Sequence, residues 1–105
     1  MPKTTICLPT FNEAVNIEPM IRALAPLGVD VLVVDDNSPD GTGAIADRLA
    51  EELDFVSVLH REKKEGLGPA YIAGFRHALA TGAELVLEAV TKVPSLRLAA
   101  LSGRL

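Results

Sequence analysis

The chain has 105 residues, 49% apolar and 23% charged, the make-up of one soluble domain and not of a disordered or collagen-like chain. Ten basic against fourteen acidic residues leave a formal charge of −4 with no basic stretch beyond Arg61, Lys63 and Lys64, so nucleic acid is not an expected partner. Cys7 has no second cysteine to pair with, no run nears the roughly 18 apolar residues of a membrane span, and the N-terminus lacks a signal-peptide pattern. These features point to a cytoplasmic chain without a transmembrane segment, and leave peripheral attachment at the inner face of a membrane open.

Thr4 to Leu8 is a short apolar run with β-branched residues, stopped by Pro9, and predicts a first strand. Asn16 is placed to cap a helix, because Pro19 is tolerated only in a first turn and Ile17, Ile21 and Leu24 share one face. Val29 to Val34 is apolar except for Asp30, the pattern of a strand buried on both faces of a parallel sheet. A second helix is expected from Asp40 or Gly41, with Ile45, Leu49 and Leu53 inward and Asp47, Arg48, Glu51 and Glu52 in solvent. Phe55 to Leu59 predicts a third strand. Gly66, Gly68 and Pro69 open a third helix whose Leu67, Tyr71, Phe75 and Leu79 recur every four residues, with Gly82 placed to end it. Glu84 to Glu88 predicts a fourth strand.

Alternation of this kind means a mainly parallel sheet with flanking helices, since parallel crossovers are right-handed. Ligands of such α/β sheets bind beyond the carboxyl ends of the strands, where the strand order reverses. The loops that gather there are Pro9 to Glu13, Asp35 to Gly41, Arg61 to Gly68 and the segment after Glu88.

In the first loop, PTFNE, Phe11 offers a flat apolar surface and Glu13 an acceptor, which suits a nucleobase that is stacked and hydrogen-bonded. The structural alternative is a capping box between Thr10 and Glu13. In the second, VVDDNSPDGT, Asp35 and Asp36 repel each other unless a donor, cation or metal is supplied. Alternatively Asp35 bonds the neighbouring loop while Ser38 or Asp40 caps the next helix. In the third, REKKEGLG, basic residues before a glycine-rich helix start could meet a diphosphate, or could simply be solvated charge beside Glu62 and Glu65. His60 and His77 lack metal-ligand spacing, and no Ser-His-Asp, Cys-His or zinc pattern occurs. A phospho-acceptor domain is disfavoured, because the paired Asp follows the second strand and the third ends Leu59-His60-Arg61.

Taken together, PTFNE, VLVVDDNSPDGTG and GLGPAYIAGF resemble the N-terminal half of family 2 glycosyltransferases, in particular the polyprenol-phosphate (dolichol-phosphate) mannosyltransferases. The resemblance runs from about Thr4 to Glu88. It implies the nucleotide-sugar half of a GT-A, Rossmann-like domain, in which Pro9, Phe11, Glu13 and Asp35 surround the base and ribose of GDP-mannose. Asp36 would lie nearby and Lys64 toward the phosphates. Such enzymes pass mannose to a polyprenyl phosphate with inversion, and Mg or Mn neutralises the departing diphosphate.

The pattern departs from that family after the fourth strand. An Asp-x-Asp metal motif would follow a Leu-Glu pair like Leu87-Glu88, but the chain continues Ala89-Val90-Thr91-Lys92 and has no acidic residue beyond Glu88. No metal ligand and no catalytic residue is therefore assigned, and tight metal binding by this chain is not expected. All fourteen acidic and seven of the ten basic residues precede residue 89, while the last sixteen residues hold Lys92, Arg97, Arg104 and no acid. The expectation is a GT-A part over residues 1–89 and a non-homologous tail, out of frame or otherwise aberrant, over 90–105. That chain would be inactive alone; the alternative function is a non-catalytic nucleotide or nucleotide-sugar binding module. The tail is expected either to leave the sheet edge open or to cover it with a short helix over Lys92–Leu105, weakened by Pro94 and Gly103.

Overall fold

Apolar residues on both sides of a strand need cover on both sides, and this requirement organises the molecule. The computed structural model describes residues 3–62, 67–90 and 97–102. The strands are β1 (Thr4–Thr10), β2 (Asp30–Asp35), β3 (Val56–His60), β4 (Leu85–Val90) and β5 (Arg97–Ser102), and the helices α1 (Ile17–Leu24), α2 (Thr42–Glu52) and α3 (Leu67–Ala80). They form one sheet in the order β3-β2-β1-β4-β5, parallel from β3 to β4, with β5 antiparallel to β4. The expected mainly parallel α/β sheet is thus present.

Ile6, Cys7, Leu8 and Val31 to Val34 are all at most 1% exposed. Alternate residues divide between two cores. Ile6, Leu8, Val31 and Val33 pack under Ile17, Ile21 and Leu24 of α1 and Ala46 and Leu49 of α2. Cys7, Leu32 and Val34 pack with Val86 of β4 under Ala70 and Ala78 of α3. Strand order runs outward from β1 to β3 and then jumps back across β1 to β4. The reversal, and with it the crevice at the carboxyl ends, lies between β1 and β4.

Four local expectations change. The first strand continues through Pro9 to Thr10, in register with Val34 and Asp35 of β2. Pairing with β4 ends at Cys7 opposite Glu88, so Pro9 falls where β1 no longer has that neighbour, and proline is tolerated at such an edge. Asn16 precedes α1 as expected but makes no side-chain cap; the Glu13 carbonyl instead accepts the N–H groups of Asn16 and Ile17 at 3.0 and 2.9 Å. In α3 the row turned into the sheet is Ala70, Gly74 and Ala78, while Tyr71, Phe75 and Leu79 are half-buried. A Cβ on Gly74 would lie 2.9 Å from Val34 Cγ2 and 3.1 Å from Cys7 Sγ, so only a row of small residues lets the helix sit this close.

The fourth change concerns the tail. Residues 97–102 form β5, with Arg97 opposite Val90 and Ser102 opposite Leu85. The outer side of β4 is therefore paired, and neither the helix nor the open edge is found there. Gly82 ends α3 as expected, at φ +97°.

Candidate functional site

The loops after β1 and β2 are built around two carboxylates that solve their mutual repulsion in different ways. Asp35, 2% exposed, accepts hydrogen bonds from Thr10 Oγ1 at 2.7 Å, from Ser38 Oγ at 2.7 Å and from Ser38 N at 3.0 Å. Asp36, 5% exposed, lies 3.5 Å from the Arg61 guanidinium. Neutral donors satisfy one acid and a cation offsets the other, which is how adjacent buried carboxylates become tolerable. The Thr10 hydroxyl is thereby used on Asp35, and the capping box with Glu13 does not form.

The second loop in turn holds the first. Three consecutive N–H groups, of Asn12, Glu13 and Ala14, donate to Ser38 Oγ, Thr42 Oγ1 and Asp40 Oδ2 at 3.0, 2.9 and 3.1 Å. Asn12 sits at φ +57°, a left-handed conformation that Asn tolerates better than most residues. The residue at the N-cap of α2 is Gly41, not Ser38 or Asp40, and makes no side-chain cap; one position earlier, Asp40 Oδ1 accepts the N–H of Thr42 at 3.1 Å, and the Thr42 hydroxyl donates to the same oxygen. That last bond, more than any other contact, holds the Asp40 carboxyl below its ordinary value.

Pro9, Glu13, Asp35 and Asp36 are buried and Phe11 half-buried at this carboxyl edge. Lys64 lies outside the described residues. Glu13 is 7% exposed, and its Oε2 is buried with no hydrogen-bond partner. A buried acceptor left in that state costs about 1–3 kcal/mol or more, relieved by any donor that reaches it. Thr42 and Asn12 went unnoticed in the sequence. The hydroxyls spaced through Ser38-Pro39-Asp40-Gly41-Thr42 were the available signal, but they resemble an ordinary helix start.

Among the described residues no group of three or more His, Cys, Asp and Glu side chains could hold a metal ion. The donor chemistry agrees, since both Asp35 oxygens accept protein donors and Asp36 faces Arg61. The acids described here do not fit a metal centre. Nor is any described helix long and apolar enough to cross a membrane.

The sequence pattern of glycosyl transferase family 2 matches residues 5–83, from β1 to the turn between α3 and β4, including both loops of the site. The chain belongs to that family. It is 46% identical over 89 residues to the polyprenol monophosphomannose synthase of Mycolicibacterium smegmatis, covering 82% of this chain and 34% of the relative. It is 51% identical over 83 residues to the undecaprenyl-phosphate mannosyltransferase of Micrococcus luteus, covering 77% and 34%. The chain thus spans about a third of the length of the curated relatives it matches. Its fold is that of a GT-A glycosyltransferase: a mannosyltransferase from Pyrobaculum calidifontis, in complex with GDP-Man and Mn2+, superposes with a TM-score of 0.72 at 28% identity, over 90% of this chain and 29% of that one.

Proposed function

We propose that this chain is the nucleotide-sugar-binding part of a polyprenol-phosphate mannosyltransferase and that it takes GDP-mannose at the carboxyl edge of β1 and β2. The observation that carries the reading is the buried, unpartnered Glu13 Oε2, on a loop whose main chain is fixed by the bond from Glu13 N to Thr42. A nucleoside offers N–H or O–H donors for that carboxylate oxygen, and a flat ring of the kind an aromatic side chain can pack against. In this reading Pro9, Phe11, Glu13 and Asp35 surround the base and ribose, with Asp36 nearby and Lys64 toward the phosphates. Asp35 acts chiefly as the post to which Thr10 and Ser38 are tied, since its oxygens already accept three hydrogen bonds.

The whole enzyme would transfer mannose to a polyprenyl phosphate, working peripherally at the cytoplasmic face of a membrane. The acceptor phosphate is already an anion, so the step asks little of a general base. Because the described acids do not fit a metal centre, binding by this chain is read as independent of Mg or Mn. That observation favours the second reading as well, a nucleotide-binding module without turnover of its own.

Calorimetric titration of the chain with GDP, GDP-mannose and UDP, with and without magnesium, tests the proposal. Saturable binding of GDP-mannose, unchanged by the metal, is the expected result, and no binding of any of the three would overturn it. Labelled mannose transfer to a polyprenyl phosphate separates the two readings: turnover supports the transferase and excludes the binding module.

A further inference from the structure

Four Lys or Arg side chains form described ion pairs, and three of them, Lys3, Arg22 and Arg48, are 45 to 49% exposed. The fourth is Arg61, at 14%, paired with an Asp36 side chain at 7%. A cation withdrawn from water is costly unless neighbouring acids offset the lost hydration, and Asp36 beside it, with Asp35 adjacent in sequence, supplies that charge. The backbone around it is tied to the same loop: Arg61 N donates to the Asp35 carbonyl at 2.8 Å, and Asn37 Nδ2, on a residue at φ +55°, donates to the Glu62 carbonyl at 3.1 Å. Asp35 at the end of β2 and the two residues after it, Asp36 and Asn37, thus hold the two residues that open the β3–α3 connection.

We infer that Arg61 is a positioning residue of the nucleotide site, acting through Asp36: its guanidinium orients and offsets that carboxylate, and its main chain anchors the connection that carries Lys63 and Lys64. The inference rests on the nucleotide reading above. Arg61 supplies the charge that lets an anionic diphosphate approach an edge already holding Asp35 and Asp36.

The test compares Arg61→Gln, Arg61→Lys and the double variant Asp36→Asn with Arg61→Gln for calorimetric GDP binding, alongside hydrogen exchange at the amide of residue 61. Arg61→Gln should weaken GDP binding roughly tenfold, while Arg61→Lys, which keeps the charge, stays within about threefold of wild type. With Asp36→Asn also measured alone, the double variant should lose less relative to Arg61→Gln than Asp36→Asn loses relative to wild type, because the two side chains act as a pair. Exchange at residue 61 should quicken about tenfold in Arg61→Gln. Wild-type GDP affinity in Arg61→Gln, or Arg61→Lys as weak as Arg61→Gln, overturns the inference. If wild type itself binds no GDP, the nucleotide reading fails. The anchoring then stands or falls on exchange alone, and an unchanged rate in Arg61→Gln refutes it.

Discussion

Gly74→Ala is a small change with two opposed effects whose sizes can be set against each other. Alanine is favoured over glycine in a helix interior by about 1 kcal/mol, so on an open helix face the substitution would stabilise. At position 74 the new methyl would stand 2.9 Å from Val34 Cγ2 and 3.1 Å from Cys7 Sγ, closer than carbon and its neighbours accept in a packed core. Val34 and Cys7 are 0% and 1% exposed and lie on adjacent central strands, so neither has room to retreat. Overpacking of this kind typically costs about 1–3 kcal/mol. The net expectation is a loss of about 1 kcal/mol, which lowers the thermal midpoint of a chain this size by roughly 4–8 °C. Thermal unfolding followed by circular dichroism measures it, with Gly68→Ala as the companion, since nothing lies within 4 Å of a Cβ there. A midpoint for Gly74→Ala equal to or above wild type would refute the account of α3 packing.

The remaining predictions concern the loops, the other core and acid. Thr42, 0% exposed, accepts the Glu13 N–H and donates to Asp40, so Thr42→Val should cost about 1–3 kcal/mol in urea unfolding and weaken GDP binding by loosening Glu13. Unchanged stability would show that the loop clasp contributes nothing. Leu49→Ala, at a fully buried position of α2, should lose about 2–5 kcal/mol in the same assay; a loss under about 1 kcal/mol would count against the packing described for that face. Asp40 and Glu18 are held below their ordinary values of 3.8 and 4.5, the first mainly by the Thr42 hydroxyl and the second by hydrogen bonds from Arg48 and then Arg22. Lowered carboxyls add stability that is present above those ordinary values and lost as pH falls through the folded ones. The thermal midpoint should therefore drop steadily below about pH 4, and a midpoint that stays level or rises there would contradict the sign.

Much of this architecture was legible because it depends on local pattern. The double-faced apolar run before Asp35 identified a central parallel strand, and Ile17, Ile21 and Leu24 identified the buried face of α1. The loops that form the candidate site were placed correctly because strand-helix alternation dictates which loops share an edge. The larger residues of α3, Tyr71, Phe75 and Leu79, are half-buried, with Phe75 packed against the core, whereas Ala70, Gly74 and Ala78 make the close approach. Size favoured one row by hydrophobicity, and shape favoured the other. The tail shows the same limit, since Pro94 and Gly103 weigh against a helix without indicating a strand opposite β4.

Residue types alone determined the fold class, the family resemblance and the identity of the acids at the carboxyl edge, since periodicity and motif order are properties of nearby residues. Only the tertiary structure decided what those acids do. Asp35 meets Thr10 twenty-five residues away, Asp36 meets Arg61 from the end of another strand, and Glu13, whose main-chain N–H donates to Thr42 across twenty-nine residues, keeps a buried Oε2 without a partner. A buried carboxylate must be satisfied by whichever donor or cation folding brings within reach, and the backbone path, not the local sequence, sets which one that is.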